Sequence, residues 1–194
     1  FYGWFDNHLC YISSLEKFAS TILKKDGKKL WNESEINHYI GKDIVYHHCL
    51  FLPGIRIGIN NEYQLPNKII TRGHLLFQNR KLSKSKNWYI GLGEFVKNFY
   101  PDYLRFYFSS IVPYSQSDIN FDWDNFYEKI NNELISNIGN FINSTLSFTK
   151  KQFNCIVPSP SEFDEIDKQA VYKIENIAYE IGDLIYSINM KKAI

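Results

Sequence analysis

A short basic stretch, Lys81-Leu82-Ser83-Lys84-Ser85, constrains the fold of this chain more than any other part of its sequence. Two lysines and two hydroxyls within five residues are suited to binding a polyphosphate without a glycine-rich loop. A strand-like apolar run at residues 68–71 and an Asn79-Arg80 turn precede it. Because nucleotides bind at the carboxyl ends of strands in α/β sheets, this context favours a phosphate-binding loop. The five residues alone also fit a solvated basic turn.

The spacing of apolar residues predicts alternating strands and helices up to Pro113. Apolar runs predict strands at 1–5, 37–40 and 69–71, and apolar residues at helical spacing predict helices at 15–23, 44–59, 92–99 and 103–108. Pro53 is expected to kink the second of these helices or to end its first part. Alternation of this kind indicates a parallel sheet with crossover helices.

The rest of the chain is predicted to be helical. Asp122 or Asp124 is expected to cap a helix whose apolar stripe runs over residues 126–146. Residues 159–162 have the pattern of a capping box and predict the start of a second long helix, with an apolar stripe over residues 174–188. Two such helices joined by a loop predict an antiparallel pair that needs further helices to cover its apolar faces.

Composition and charge limit the partners and the compartment. With 44% hydrophobic and 17% aromatic residues and a formal net charge of +1, the chain is expected to fold around one sizeable core and a smaller second one. A nucleic acid would be attracted by the local basic cluster at residues 80–86, because the net charge is close to zero. The three cysteines have no CxxC spacing, which argues against a disulfide framework and favours a reducing compartment.

Neither a metal site nor a membrane span is predicted. The histidines and cysteines at positions 8, 10 and 47–49 lack ordinary zinc spacing. No apolar run of about 18 residues occurs, and the amino terminus has no basic-then-apolar pattern. We therefore expect no resident metal, no membrane partner and no signal peptide.

Several blocks of this sequence resemble those of one family, in the same order. Residues 81–85 resemble the KMSKS loop of class I aminoacyl-tRNA synthetases, and within that class the methionyl-tRNA synthetases, with leucine in place of methionine. Residues 4–14 resemble the WFDAPIGY segment, and residues 41–53 resemble GKDIVxFHxLFWP. Residues 102–107 resemble the ADALRYY helix, and residues 122–143 resemble the start of the helical anticodon-binding domain. The resemblance covers nearly the whole chain.

The resemblance implies an α/β plus all-α fold. Residues 1–113 would form the second half of a Rossmann-like, parallel-sheet nucleotide-binding domain that carries the loop at 81–85. Residues 114–194 would begin an antiparallel helical bundle that binds the anticodon. Because no HIGH-type sequence occurs, we expect the chain to be a fragment that is inactive alone and whose partner is the absent N-terminal half of the same protein.

The activity that the resemblance implies is ATP-dependent activation of methionine and its transfer to tRNA in the cytoplasm, with Mg²⁺ as cofactor. Catalysis of this kind depends on positioning and on stabilising negative charge. Lys84 is expected to supply the positive charge that stabilises it, with help from Lys81, while Ser83 and Ser85 shape the loop. The loop must close on the phosphates and open for release, so we expect it to be mobile.

ATP is expected to bind at Gly41, Asp43, Arg72 and Gly73. By resemblance, the Asp43 carboxylate accepts hydrogen bonds from the ribose hydroxyls. The residue pattern alone favours an ordinary helix N-cap at Asp43, and both roles are compatible, because caps and ribose ligands occupy the same strand edge. Arg72 replaces a family histidine, and its guanidinium remains able to face phosphate.

The resemblance also implies an amino-acid pocket, formed by Trp4, Asn7, His8, Tyr11, Ile44 and His48. An apolar and aromatic slot suits a thioether, and for Trp4 and Ile44 ordinary core packing is the alternative. Asn7 and His8 replace the alanine and proline of the family. Burying them without partners would cost about 1–3 kcal/mol each, so either they turn outward or the substrate carries a group that they bind. We therefore expect altered or weakened selection of methionine.

Anticodon contacts are implied at Ser136, Asn140 and Ser144. Serines replace the first asparagine and the arginine of the family's recognition helix, which should weaken base readout by about 1–3 kcal/mol. Without the resemblance, Asn140 fits a solvated helix residue equally well. Three functions therefore compete: a methionyl-tRNA synthetase, a paralogue that uses another amino acid or another acceptor, and a non-catalytic tRNA-binding or interaction module.

Overall fold

The computed structural model describes Gly3, residues 7–59 and residues 62–194. It comprises two compact units, Phe1–His74 with Ser115–Asp118, and Leu75–Tyr114 with Ile119–Ile194. The strand predicted at residues 1–5 lies outside the described residues, apart from Gly3. The domain boundary after residue 113 stays a prediction.

Two parallel strands form the centre of the first unit. Strand β1 (Asn37–Gly41) pairs in parallel with β2 (Lys68–Arg72), and Gly41 lies opposite Arg72 at their carboxyl ends. Buried residues alternate along β1, where His38 and Ile40 are covered. Both strands were predicted from their apolar runs, and their parallel pairing is confirmed.

Helices connect and flank these two strands. They are α1 (Cys10–Phe18), which continues as a π-helical segment (Ala19–Leu23), then α2 (Gly27–Glu33) and α3 (Leu52–Gly58). Short 3₁₀ turns span Asn7–Leu9 and Lys42–Ile44, and a π-helical segment spans His47–Phe51. The helical geometry changes at Leu52, where Pro53 occupies the first turn of α3, as expected for a residue without an N–H.

The second unit contains a three-stranded sheet. Strand β3 (Leu75–Phe77) pairs antiparallel with β4 (Arg80–Lys81) and parallel with β5 (Ile119–Phe121). Gln78 and Asn79 join β3 to β4, and both have positive φ, at 49° and 62°. Positive φ at both central residues is typical of the tight turns whose twist matches that of a β-hairpin.

Aromatic packing forms the core of this unit. The buried residues Phe95, Tyr107, Phe121, Phe126 and Ile130 pack together. Ring centroids of Tyr107 lie 5.3 Å from Phe121 and 5.4 Å from Phe126, both edge to face. Such pairs stabilise a core by about 0.5–1.5 kcal/mol beyond the area that they bury. Four of these residues come from β5 and from three helices, α4 (Leu92–Asn98), α5 (Pro101–Ile111) and α6 (Trp123–Glu128), and Ile130 comes from the π-helical segment that follows α6.

The remaining helices expose much of their apolar surface. A π-helical segment (Lys129–Gly139) leads into α7 (Asn140–Phe153), followed by α8 (Glu165–Tyr186) and α9 (Met190–Ala193). The predicted stripe is buried at Ile130, but Phe141 is 70% exposed and Ile174 on α8 is 72% exposed. Both long helices form, and beyond Ile130 much of their apolar stripe faces solvent in this chain.

The N-termini of α6 and α8 show which of the predicted caps form. Asp122 caps α6, since its carboxylate accepts hydrogen bonds from the backbone N–H groups of Asp124 and Asn125 at 3.0 Å each. The capping box predicted at residues 159–162 is wrong. Helix α8 starts later, where Asp164 and Asp167 cap each other's backbone. Two carboxylates are stronger acceptors than the serine hydroxyl at 159, because hydrogen bonds to ionised acceptors are stronger.

We predict that Asp122→Ala lowers the free energy of unfolding by about 1 kcal/mol, because the first N–H groups of α6 lose their acceptor. The matched variant is Asp124→Ala, which keeps the cap and should cost less. Urea unfolding followed by circular dichroism measures both. A larger loss for Asp124→Ala would contradict this assignment of the cap.

Candidate functional site

The turn after β1 places the predicted ribose ligand at the carboxyl end of the parallel strands. Asp43 lies within the 3₁₀ turn Lys42–Ile44 and is exposed. Its carboxylate folds back over Gly41, where a Cβ would lie 2.5 Å from Asp43 Oδ1. The turn starts after Gly41, which has no side chain to cap it, so the alternative that Asp43 is an N-cap is wrong.

The residues after β2 meet the same strand end. Arg72 lies opposite Gly41 and is partly buried, and its Nη1 donates to the Thr71 carbonyl at 3.3 Å. A Cβ on Gly73 would overlap the carbonyl of Ser117. Glycine is therefore needed at 73 because another backbone segment approaches it closely. The four predicted nucleotide ligands Gly41, Asp43, Arg72 and Gly73 thus belong to one strand edge.

Segment 115–118 joins this edge through contacts that the sequence did not reveal. Lys42 Nζ donates to Asp118 Oδ1 at 2.6 Å, and the His74 backbone N–H donates to the same oxygen at 2.8 Å. The hydrogen bond from Lys42, followed by that from His74, lowers the pKa of the Asp118 carboxyl. Gln116 Nε2 donates to Thr71 Oγ1 at 2.6 Å. The segment is therefore held to both strands at their carboxyl ends.

Tyr11 and His48 form the polar centre of the predicted amino-acid pocket. His48 is 1% exposed, and its Nδ1 lies 3.0 Å from the Ile44 carbonyl, which can only accept. In neutral His48 the proton is therefore on Nδ1, and Nε2 accepts from the Tyr11 hydroxyl at 3.2 Å. Ile44 thus contributes its backbone, and its side chain is partly buried. Trp4 lies outside the described residues.

The two substituted pocket positions, Asn7 and His8, differ in burial. Asn7 is exposed, so it carries no cost of burial. His8 is 2% exposed, and its ring meets His48 edge to face at 4.9 Å between centroids. His38 contacts His48 at 5.4 Å and Tyr11 at 5.0 Å. Of the two substituted residues, Asn7 therefore turns outward, and His8 faces the interior beside His48.

A buried arginine adjoins this cluster and was not anticipated. Arg56 is fully buried, with its guanidinium 4.7 Å from the Trp31 ring. Its Nη1 and Trp31 Nε1 both donate to the Gln64 carbonyl, at 2.5 and 3.0 Å. Burial lowers the pKa of Arg56. Burial first, and then repulsion from His48 and Arg56, lowers the pKa of His38 to about 4.

No metal centre is formed by these side chains. Within residues 7–59 and 62–194, no group of three or more histidine, cysteine, aspartate or glutamate side chains is placed to hold a metal ion. The three cysteines are free and exposed. In the same ranges, no helix is long and apolar enough to cross a membrane.

The predicted phosphate loop is the tip of a β-hairpin. Beyond β4, Ser83 and Trp88 exchange backbone hydrogen bonds of 2.9 Å in both directions. The Asn87 backbone N–H closes the tip by donating to the Lys84 carbonyl at 3.1 Å, and Asn87 has a positive φ of 50°. Lys81 and Lys84 are exposed, so their ammonium groups are available to anions.

The serines and a tryptophan shape this hairpin. Ser83 Oγ lies 3.2 Å from Ser85 Oγ and accepts from the Lys86 N–H at 3.3 Å. Trp88 anchors the hairpin to β3, because its Nε1 donates to the Phe77 carbonyl at 3.0 Å. A depression of about 440 Å³ lies on this surface, lined by Arg80, Lys81, Leu82, Ser83, Lys86 and Trp88. Its basic lining and size suit phosphate groups.

The three predicted anticodon residues share one side of a helical stretch. Ser136, Asn140 and Ser144 are all exposed and four residues apart. Ser136 Oγ donates to the Asn131 carbonyl at 2.7 Å, so its proton is engaged within the helix. Asn140 begins α7 after the π-helical segment. The positions are accessible, and their role stays a prediction.

Residues 1–146 match the protein family described as tRNA synthetases class I (M). The chain belongs to this family. Methionine–tRNA ligase of Methanococcus maripaludis (strain C7) is 38% identical over the whole chain, and that of Pyrococcus horikoshii is 34% identical. The chain spans 29% and 28% of these two relatives. The resemblance found in the sequence is confirmed at the level of the family.

Solved structures of this family share the fold. The apo form of Mycobacterium tuberculosis methionyl-tRNA synthetase matches 99% of this chain and 35% of its own, with a TM-score of 0.78 and 20% identity. The same protein bound by methionyl-adenylate matches 89% of this chain and 33% of its own, with a TM-score of 0.74. The α/β plus all-α fold expected from the sequence is confirmed.

We predict that acidification destabilises this site through His38. The pKa of His38 is about 4 when folded, against an ordinary value of 6.5, so between these values the unfolded chain binds a proton that the folded chain does not. The contribution of neutral His38 to the free energy of unfolding is therefore fully present above pH 6.5, and about 3 kcal/mol of it is lost as the pH approaches 4. Urea unfolding at pH 7.5 and pH 4.5 measures this loss. His38→Phe, which keeps a ring in place, should reduce the loss, and an unchanged dependence would contradict the assignment.

Proposed function

We propose that this chain is part of a methionine–tRNA ligase, which activates methionine with ATP and transfers it to tRNA. Family membership and the names of the two relatives support this proposal. The observation that carries it is the first unit itself, which combines an exposed carboxylate at a parallel strand end with a Tyr11–His48 pocket. Ligand sites of open α/β sheets lie at such strand ends.

The strand edge binds the nucleoside part of ATP in this proposal. The Asp43 carboxylate accepts hydrogen bonds from the vicinal ribose hydroxyls, since a carboxylate can accept two donors at once. Gly41 leaves the space that Asp43 occupies, and Gly73 allows the neighbouring segment to pack closely. Arg72 provides a guanidinium on the same edge for a phosphate oxygen.

The hairpin binds the triphosphate. ATP supplies an α-phosphate that the methionine carboxylate attacks, and pyrophosphate is the leaving group. Lys84 and Lys81 offset the charge on the phosphates, while Ser83 and Ser85 hold the tip in shape. Mg²⁺ would be held mainly by the phosphate oxygens and would offset part of their charge, because it normally uses few protein ligands beside substrate oxygens.

The pocket binds the amino-acid side chain, and one of its residues supports a second candidate function. Tyr11, Ile44 and His48 fit a thioether, as does Trp4 by resemblance. The burial of His8 against His48 is the specific observation that supports a paralogue with another amino acid. Imidazole nitrogens offer hydrogen bonds that a thioether cannot fully use.

The helical part binds tRNA, with Ser136, Asn140 and Ser144 facing the anticodon. Two serine hydroxyls replace longer polar groups, so base readout is weaker than in a relative with the asparagine and arginine. A module that binds tRNA without catalysis is the remaining alternative. Free, exposed cysteines fit a reducing compartment, and we propose a cytoplasmic location.

We predict that Lys84→Ala lowers the rate of ATP–pyrophosphate exchange by at least about 100-fold in the full-length protein, because the charge that stabilises the leaving group is lost. Lys97→Ala is the matched control, since Lys97 is an exposed lysine on α4 of the same unit. The control should retain the parental rate. No loss on Lys84→Ala would remove this residue from the mechanism.

We also predict that exchange with methionine is weak, or that another amino acid is preferred, because His8 replaces proline in the pocket. Exchange by the full-length protein with each amino acid in turn measures the preference. Methionine preferred over all others with ordinary efficiency would contradict this prediction. No exchange with any amino acid would favour the non-catalytic module.

A further inference from the structure

We infer that Asp118 is a positioning residue for nucleotide binding, and that it acts on Asp43 through Lys42. This inference rests on the proposed function, in which the Asp43 carboxylate binds the ribose of ATP. Asp118 comes from a segment 76 residues away from Lys42 in sequence and does not itself touch the nucleotide in this account.

The contact that carries the inference is a short ion pair at the strand edge. Lys42 Nζ donates to Asp118 Oδ1 at 2.6 Å, and both side chains are only about one-third exposed, at 36% and 34%. The same oxygen accepts the His74 backbone N–H at 2.8 Å. Asp118 therefore ties the turn after β1 to the residues after β2.

The ion pair fixes the position of Lys42, which is the residue next to the proposed ribose-binding carboxylate of Asp43. Lys42 and Asp43 are adjacent in one 3₁₀ turn, and the Asp43 carboxylate is exposed above Gly41. Among the described residues, no hydrogen bond to the Asp43 carboxylate is present. A released Lys42 ammonium would be attracted to that carboxylate and would compete with the ribose hydroxyls for its oxygens. Asp118 prevents this competition by holding Lys42 elsewhere.

Other contacts hold the segment that carries Asp118, so its side chain can be changed without releasing the segment. Gln116 donates to Thr71 at 2.6 Å, and the Ser117 backbone packs against Gly73. The ion pair is partly exposed, and pairs of this kind contribute little to the free energy of unfolding because solvent screens them. Loss of the pair should therefore change nucleotide binding more than folding.

The test is ATP–pyrophosphate exchange by the full-length protein with its preferred amino acid. We expect Asp118→Ala to raise the KM for ATP about tenfold with little change in kcat, because an interaction made in both the bound and the transition state is lost. Asp118→Asn keeps an oxygen acceptor and should therefore raise the KM for ATP less than Asp118→Ala does. With 2′-deoxy-ATP, which lacks one ribose donor, the effect of Asp118→Ala should be smaller.

A double-mutant cycle shows whether Asp118 acts through Lys42. Lys42→Met removes the competing ammonium, so we expect Asp118→Ala to have no further effect in that background. The matched control is Glu62→Ala, which breaks the Lys28–Glu62 pair of the same unit and the same 2.6 Å length. This control should leave the KM for ATP unchanged.

Each outcome has a defined meaning. A parent protein without exchange on any amino acid overturns the proposed function and this inference together. An active parent in which Asp118→Ala leaves the KM for ATP unchanged overturns the inference alone. The inference is likewise overturned if Asp118→Ala raises the KM for ATP and the KM for 2′-deoxy-ATP by the same factor. A full effect of Asp118→Ala in the Lys42→Met background would overturn it too, because a purely structural role gives both results.

Discussion

The parallel pairing of β1 with β2 is the constraint on which the rest of the first unit depends. It places Gly41 opposite Arg72, so that the turns after both strands end at one edge. Space at Gly41 admits the Asp43 carboxylate, and space at Gly73 admits segment 115–118. A shift of the register by one residue would reverse the face of every side chain and separate these groups. The grouping of the predicted nucleotide-binding residues at one edge therefore follows from backbone pairing.

The pocket shows how the same unit accommodates polar groups in its interior. His48 satisfies both ring nitrogens, through the Ile44 carbonyl and the Tyr11 hydroxyl. His8 and His38 then pack against it edge to face. Positive charge on His38 would be costly, since burial and the neighbouring His48 and Arg56 lower its pKa. The imidazoles of this cluster therefore place polar ring edges next to the Tyr11–His48 pair inside the unit.

Much of the fold could be predicted from the sequence, because its signals are local. The strands at 37–40 and 69–71 are short apolar runs next to turn residues, and Asp122 precedes its helix as a cap should. The cap at Asp164 was missed because residues 159–162 also fit a capping pattern. The hairpin was missed because the bridge between Ser83 and Trp88 depends on pairing across a turn.

The site was less predictable, because its contacts join distant residues. Nothing near Lys42 or Asp118 in the sequence marks their ion pair, and the burial of His8 beside an exposed Asn7 depends on a single 3₁₀ turn. A crystal structure of the full-length protein with a non-hydrolysable ATP analogue would show where the nucleotide binds. We predict ribose hydroxyls within hydrogen-bond distance of Asp43 and phosphates beside Lys84, and a ribose bound away from Asp43 would contradict the account.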